Sequence, residues 1–130
     1  MKTTSIWLVH ETLHMLMLMR NTIVVHGGHD VRCFTNSFDV IELVLQGTSP
    51  DILVAEDRLT GMSGNELLTL AGSIDDRCSG ILLVSPDADH CSYQRHIVVE
   101  GVAGFHKSLV QTIHAVAKKD GKTQGVLAHE

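Results

Sequence analysis

Pro50-Asp51-Ile52-Leu53-Val54-Ala55-Glu56-Asp57-Arg58-Leu59-Thr60-Gly61-Met62-Ser63-Gly64 decides the fold. Ile52 to Ala55 is an unbroken apolar run, the pattern of a strand covered on both faces rather than of one half-open to water. It ends on the acids Glu56 and Asp57, and Gly61 and Gly64 then mark a turn that opens a helix. A buried strand that delivers carboxylates to a strand-to-helix turn is half of a βαβ unit, so the rest of the chain is read for the same alternation.

The alternation is there. Ile6 to Val9, Val31 to Phe34, Ile52 to Ala55, Ile81 to Val84 and the brief Gly104 to His106 read as five strands. Val31-Arg32-Cys33-Phe34 alternates and suits an edge. Between them the sequence predicts five helices: about Thr12 to Val25, Phe38 to Gln46, Asn65 to Ala71, Asp89 to Glu100 and Leu109 to Lys119. Ser37 is the expected N-cap of the second. Gly27-Gly28, Gly47 with Pro50, Gly72 and Gly101 are the expected stops. Five βα units imply an α/β, flavodoxin-like doubly wound parallel sheet of order 2-1-3-4-5 with five helices. Residues 1–119 form the expected domain, and the polar 120–130 reads as a tail or the start of a linker. Ligands of such sheets bind outside the carboxyl ends of the strands, which directs attention to His10, Glu11, Glu56, Asp57, Ser85 and Lys107.

Composition narrows the function. A chain of 130 residues with net charge −5, from 10 basic and 15 acidic residues, lacks the clustered Lys and Arg that phosphate backbones require, so direct nucleic-acid binding is not expected. Cys33, Cys78 and Cys91 are widely spaced and odd in number, as suits reduced thiols in a cytoplasm. The apolar stretch from Leu13 to Val25 is interrupted by His14, Arg20, Asn21 and Thr22 and falls short of the ~20 residues of a membrane span. Among the nine histidines, His10 and His14 stand four residues apart with Glu11 after the first, but the expected helix begins between them and no third ligand is obvious, and there is no Gly-rich phosphate loop. A cytoplasmic protein that touches neither membrane nor nucleic acid is the expectation.

The order and spacing of these segments resemble response-regulator receiver domains. The resemblance spans about residues 4 to 119 and rests on four ordered matches beside the opening stretch. Ile6-Trp7-Leu8-Val9-His10-Glu11 takes the place of the family's first strand and acidic pair. Gly28-His29-Asp30-Val31 takes that of the approach to the second strand. Leu82-Leu83-Val84-Ser85 takes that of the fourth strand with its hydroxyl, and Gly101 to Lys107 that of the fifth strand with its lysine. The resemblance implies phosphorelay signalling through a phosphoacceptor aspartate, with magnesium held by the acidic pair and the acceptor.

At the acceptor position this chain has Glu56, one methylene longer than aspartate, and Thr60 stands where the family has proline. His10 replaces the first acid, and imidazole is a poor magnesium ligand. Glu11, Glu56 and the Arg58 carbonyl remain as weak Mg2+ candidates, with no cofactor required. Ser85 and Lys107 match groups that contact the phosphoryl oxygens, and Phe105 lies near the position of the family's switch aromatic, two residues before the lysine rather than three. Asp57 enters the site only if the third strand ends one residue later.

The resulting expectation is an atypical receiver with impaired or absent phosphotransfer, at most self-phosphorylated from a donor. It would act on a sensor kinase or other signalling protein, an attached output domain or a second copy of itself. Glu56 would imitate the phosphorylated acceptor. Two other readings stay open: a competent magnesium-dependent acceptor using Asp57 or Glu56, and a small α/β ligand-binding protein.

Overall fold

A computed structural model of the chain describes residues 3–27, 29–86 and 96–129, with side chains through Lys118. Strands β1 (Ser5–Val9), β2 (Asp30–Phe34), β3 (Ile52–Glu56), β4 (Ser79–Val84) and β5 (His96–Val99) form one parallel sheet in the order β2-β1-β3-β4-β5. The described helices are α1 (Leu13–Gly27), α2 (Ser37–Leu45), α3 (Gly64–Ile74) and α4 (Phe105–His129). This is the flavodoxin-like order expected from the alternation of apolar runs.

Side chains alternate across the strands and feed two cores. Ile6 and Leu8 of β1 join Leu16, Met19 and Ile23 of α1 and Leu109 and Ile113 of α4 on one face. Trp7 and Val9 join Val40 and Val44 of α2 and Leu67 and Ala71 of α3 on the other. Two-sided cover explains the unbroken apolar character of β1, β3 and β4. Each fully buried Leu, Ile or Val contributes about 1.5–3 kcal/mol relative to exposure. The edge strand β2 is only partly buried, as its alternating sequence requires.

Four expectations are corrected. The fifth strand is His96–Val99, not Gly104 to His106. Ile97, Val98 and Val99 are β-branched and favour extended backbone, whereas Gly104 has φ +83°, a left-handed turn that no strand contains. The helix expected over Asp89 to Glu100 therefore fails at its end, where β5 lies, and its residues 89–95 lie outside the described residues. Second, Asn36 caps α2, its side chain accepting the Phe38 N–H at 2.7 Å. Ser37 instead donates its hydroxyl to the Met62 carbonyl at 2.9 Å, tying α2 to the turn before α3. Third, α3 runs through Gly72 to Ile74. A lone glycine costs a helix only about 1 kcal/mol, less than the packing of Leu67, Leu68 and Ala71 returns. Fourth, the last helix begins at Phe105 rather than Leu109, and its backbone runs to His129.

Candidate functional site

Three strand ends bring the site together. His10 directly follows β1, and its N–H donates to the Phe34 carbonyl at 3.1 Å, so the ladder with β2 carries it one residue past the strand. Glu56 is the last residue of β3. Glu100 directly follows β5, its N–H donating to the Val84 carbonyl at 2.8 Å. Sheet hydrogen bonds therefore fix all three backbones.

Their side chains meet. The His10 imidazole is buried, with 6% of the side chain's surface exposed. Its Nε2 lies 2.9 Å from Glu100 Oε2 and its Nδ1 lies 3.3 Å from Glu56 Oε1. The Thr12 N–H donates to Nδ1 at 3.1 Å. An acceptor nitrogen carries no proton, so the neutral ring bears its hydrogen on Nε2 and gives it to Glu100. The Glu11 N–H donates to Glu56 Oε1 at 3.2 Å. The Glu11 carboxylate itself turns outward to accept the Thr60 N–H at 2.5 Å.

The charges of this cluster are coupled. Burial lowers the His10 pKa, but the hydrogen bond to Glu100 and the carboxylates of Glu56, Glu100 and Glu11 together outweigh it and hold the imidazole above its ordinary value. A second ring proton enters between Nδ1 and Glu56, displacing the Thr12 N–H. Burial raises the Glu56 pKa, the neighbouring charges of Glu100 and Glu11 add to it, and the Glu11 amide and His10 oppose it in part. Hydrogen bonding to Thr60 lowers that of Glu11.

Asp57 serves a different end of the structure. Its Oδ1 accepts the Asn65 N–H at 3.3 Å and its carbonyl the Gly64 N–H at 3.2 Å, so it holds the first turn of α3 against β3. Gly64 is required there, because a Cβ would stand 2.2 Å from the Glu56 carbonyl oxygen. Ser63 and Glu66 complete a capping box at the same helix end.

The remaining sequence candidates divide. Ser85 follows β4 and is half-buried, and Arg58 is exposed in the turn after β3. Lys107 is exposed in the first turn of α4 rather than at a strand end, and Phe105 starts that helix with its ring buried in the core beside Leu109 and Ile113. The residue at the end of β5 is Glu100, which sequence reasoning missed. The signal was present: Ile97-Val98-Val99-Glu100-Gly101 repeats the form of Leu53-Val54-Ala55-Glu56, an apolar run ending in an acid.

No protein-family model matches the sequence, and no curated protein is significantly similar to it. Solved structures do match in shape. A response-regulator receiver domain protein from Clostridium thermocellum superposes with a TM-score of 0.78 at 14% identity, over 92% of this chain and 98% of that one. The signal receiver domain of an HD domain-containing protein from Pseudomonas fluorescens gives 0.79 at 12%, over 93% and 99%. A CheY-like receiver domain protein from Methanospirillum hungatei gives 0.75 at 13%, over 93% and 99%. The chain has the receiver fold across nearly its whole length.

Proposed function

We propose that this chain is a receiver-fold signalling module that works by contact with other proteins and has impaired or absent phosphoryl transfer. The observation that supports this reading best is the His10 to Glu100 contact of 2.9 Å. The resemblance implies an acid where His10 stands and, with β5 placed at His96–Val99, a lysine where Glu100 stands. Phosphoryl transfer depends on cations set against the charge of the transferring group. A carboxylate at the end of β5 repels an anionic donor, and the Glu56 oxygen that would attack already accepts the Glu11 N–H and faces the His10 ring.

Magnesium suits this donor set poorly. It takes oxygen ligands in near-octahedral geometry, whereas His10 offers nitrogen and the Glu11 carboxylate turns to the Thr60 amide. Glu56, longer than aspartate and held by hydrogen bonds on the strand end, would instead fix one arrangement of the surrounding loops. The partners of this reading are a sensor kinase or other signalling protein, an attached output domain or a second copy. Among the described residues no helix is long and apolar enough to cross a membrane, which accords with a cytoplasmic location.

Incubation with magnesium and acetyl phosphate, followed by intact mass, tests the reading. The expected result is an unchanged mass. A single phosphoryl adduct on Glu56 or Asp57 would overturn it in favour of a competent acceptor.

A further inference from the structure

We propose that the groove between α2 and α3 docks a basic amphipathic helix of a partner protein. The groove has a volume of about 360 Å³ and is lined by Phe38, Gly61, Met62, Glu66 and Leu70. Phe38 is 54% exposed, and Leu45, Leu70 and Ile74 are exposed with it. Phe38, Glu42 and Leu45 follow one another at spacings of four and three on α2, and Glu66, Leu70 and Ile74 at spacings of four on α3, so each set forms one stripe along its helix. The two helices pack side by side over one face of the sheet. Two neighbouring stripes of apolar residues, each carrying an acid, are a surface into which a third helix packs.

The local structure holds this groove in shape. Ser37 donates to the Met62 carbonyl at 2.9 Å and fixes the start of α2 against the turn before α3. In that turn Gly61 has φ +84°, and a Cβ there would stand 2.8 Å from the Phe38 ring. Glycine thus lets the ring rest against the turn while one side of it stays open to solvent. The Glu66 carboxylate accepts the Ser63 N–H at 2.9 Å, which sets its direction before anything binds. An aromatic anchor and a carboxylate already held in place lose little freedom on association. Gly61 follows Thr60, whose N–H the Glu11 carboxylate accepts, so the groove meets the strand-end site through a single peptide link.

Charge selects the occupant. α2 and α3 carry Asp39, Glu42 and Glu66, all exposed, and neither helix contains Lys or Arg. Just beyond α3, Arg77 turns its Nε to Asp75 at 3.1 Å. A second copy seated symmetrically would set these acids against themselves, and an anionic membrane or nucleic acid would meet the same repulsion. A helix whose apolar face is flanked by Lys or Arg satisfies both the stripes and the acids. The 11 residues of α3 span about 16 Å, room for roughly three turns of such a helix. Docking here rests on the proposed function only in that the chain works by protein contact, and it does not require phosphoryl transfer to be absent.

A fluorescently labelled synthetic helix of about 18 residues, long enough to persist in water, with leucine on one face and lysine on the other, tests the groove on the full chain. A twin with glutamate in place of lysine is the control. The lysine helix should bind at least ~10-fold more tightly than its twin, with the amide resonances of Phe38, Gly61, Met62 and Leu70 among those that move most. Phe38→Ser and Glu42→Lys should each weaken it by about fivefold or more, and because both side chains are exposed neither change disturbs the core. Equal affinity for the two peptides, shifts confined to other faces, or unchanged affinity in both variants would overturn the proposal. Self-association of the chain that Phe38→Ser abolishes would overturn it in favour of a second copy. The phosphorylation assay reads separately: a phosphoryl adduct removes the impaired-transfer reading and leaves the groove standing, and absent peptide binding does the reverse.

Discussion

The His10 imidazole and the Glu100 carboxylate meet at 2.9 Å, although β3 and β4 lie between the strands that carry them. The contact spans the carboxyl edge of the sheet and closes over Glu56, whose oxygen lies on the other side of the ring. It is also a main reason that the imidazole holds its second proton more tightly than a free histidine, against the opposing effect of burial. Glu100→Gln should lower the His10 pKa. Ring-nitrogen NMR shifts followed through a pH titration measure this directly, and an unmoved midpoint would mean that the contact is not populated in solution.

Stability should fall as the solution is made alkaline. A group whose pKa is raised on folding binds its proton more tightly in the folded state, so its contribution is present below the unfolded pKa and lost as pH rises through the folded one. His10 is raised from 6.5 and Glu56 from 4.5, and both therefore favour the acidic side. Glu11 and Asp75 are lowered, Asp75 to about 2, and their contributions disappear as pH falls below their ordinary values. The protein should melt higher near pH 5.5 than near pH 8.5, and His10→Gln should flatten that slope above pH 6.5 in thermal unfolding curves.

How much of this was legible in the sequence follows from the physics of each segment. β1, β3 and β4 are buried on both faces, so burial itself writes their apolar runs, and the strand order follows from the alternation. His10 and Glu56 could be placed because they end such runs. β5 could not be placed in the same way, because Ile97 and Val99 are substantially exposed and only Val98 is buried, leaving a short run that reads equally as a helix end. That misplacement put Lys107 and Phe105 at the site and left Glu100 inside a helix. The two-residue spacing between Phe105 and Lys107 was the sign of the error, since it departed from the pattern it was aligned to. The tertiary contact of Glu100 with His10, 90 residues apart, has no local signature.

Phe105 tests the corrected boundary. As the first residue of α4 it is 5% exposed and packs in the core with Leu109, Ile113 and Val116. Phe105→Ala should cost about 3–5 kcal/mol, the usual range for emptying a buried aromatic position. Chemical denaturation measures the loss. A cost below about 1 kcal/mol would place the ring at the surface, as a switch residue would be.

Gly64 tests the junction beneath Glu56. A Cβ there would approach the Glu56 carbonyl oxygen to 2.2 Å, and backbone atoms on both sides must separate to admit it. Gly64→Ala should destabilise the fold by about 1–3 kcal/mol, the cost of overpacking. Because the displaced atom belongs to Glu56, the Glu11 amide that donates to Glu56 Oε1 should shift in the same variant. Denaturant unfolding together with amide spectra checks both effects. Destabilisation without that shift would mean that the strand end moves as a rigid piece.

Exchanging the charges at the strand ends tests the functional reading from the opposite direction. His10 and Glu100 carry a cation-capable ring and an acid in places where the receiver resemblance implies an acid and a lysine, and Glu56 is one methylene longer than the aspartate it implies. The combined variant His10→Asp, Glu56→Asp, Glu100→Lys keeps an opposite-charge pair between the first and last of these positions and gives magnesium carboxylate oxygens in place of nitrogen. It also removes the negative charge at the end of β5 and shortens the acceptor, where misplacement on the order of 1 Å can cost about a hundredfold in rate. With acetyl phosphate and magnesium, the variant should gain one phosphoryl group by intact mass, and the parent should not. A folded variant that stays unmodified would mean that the obstacle lies elsewhere in the cleft, with Thr60 in the turn after β3 the next position to change.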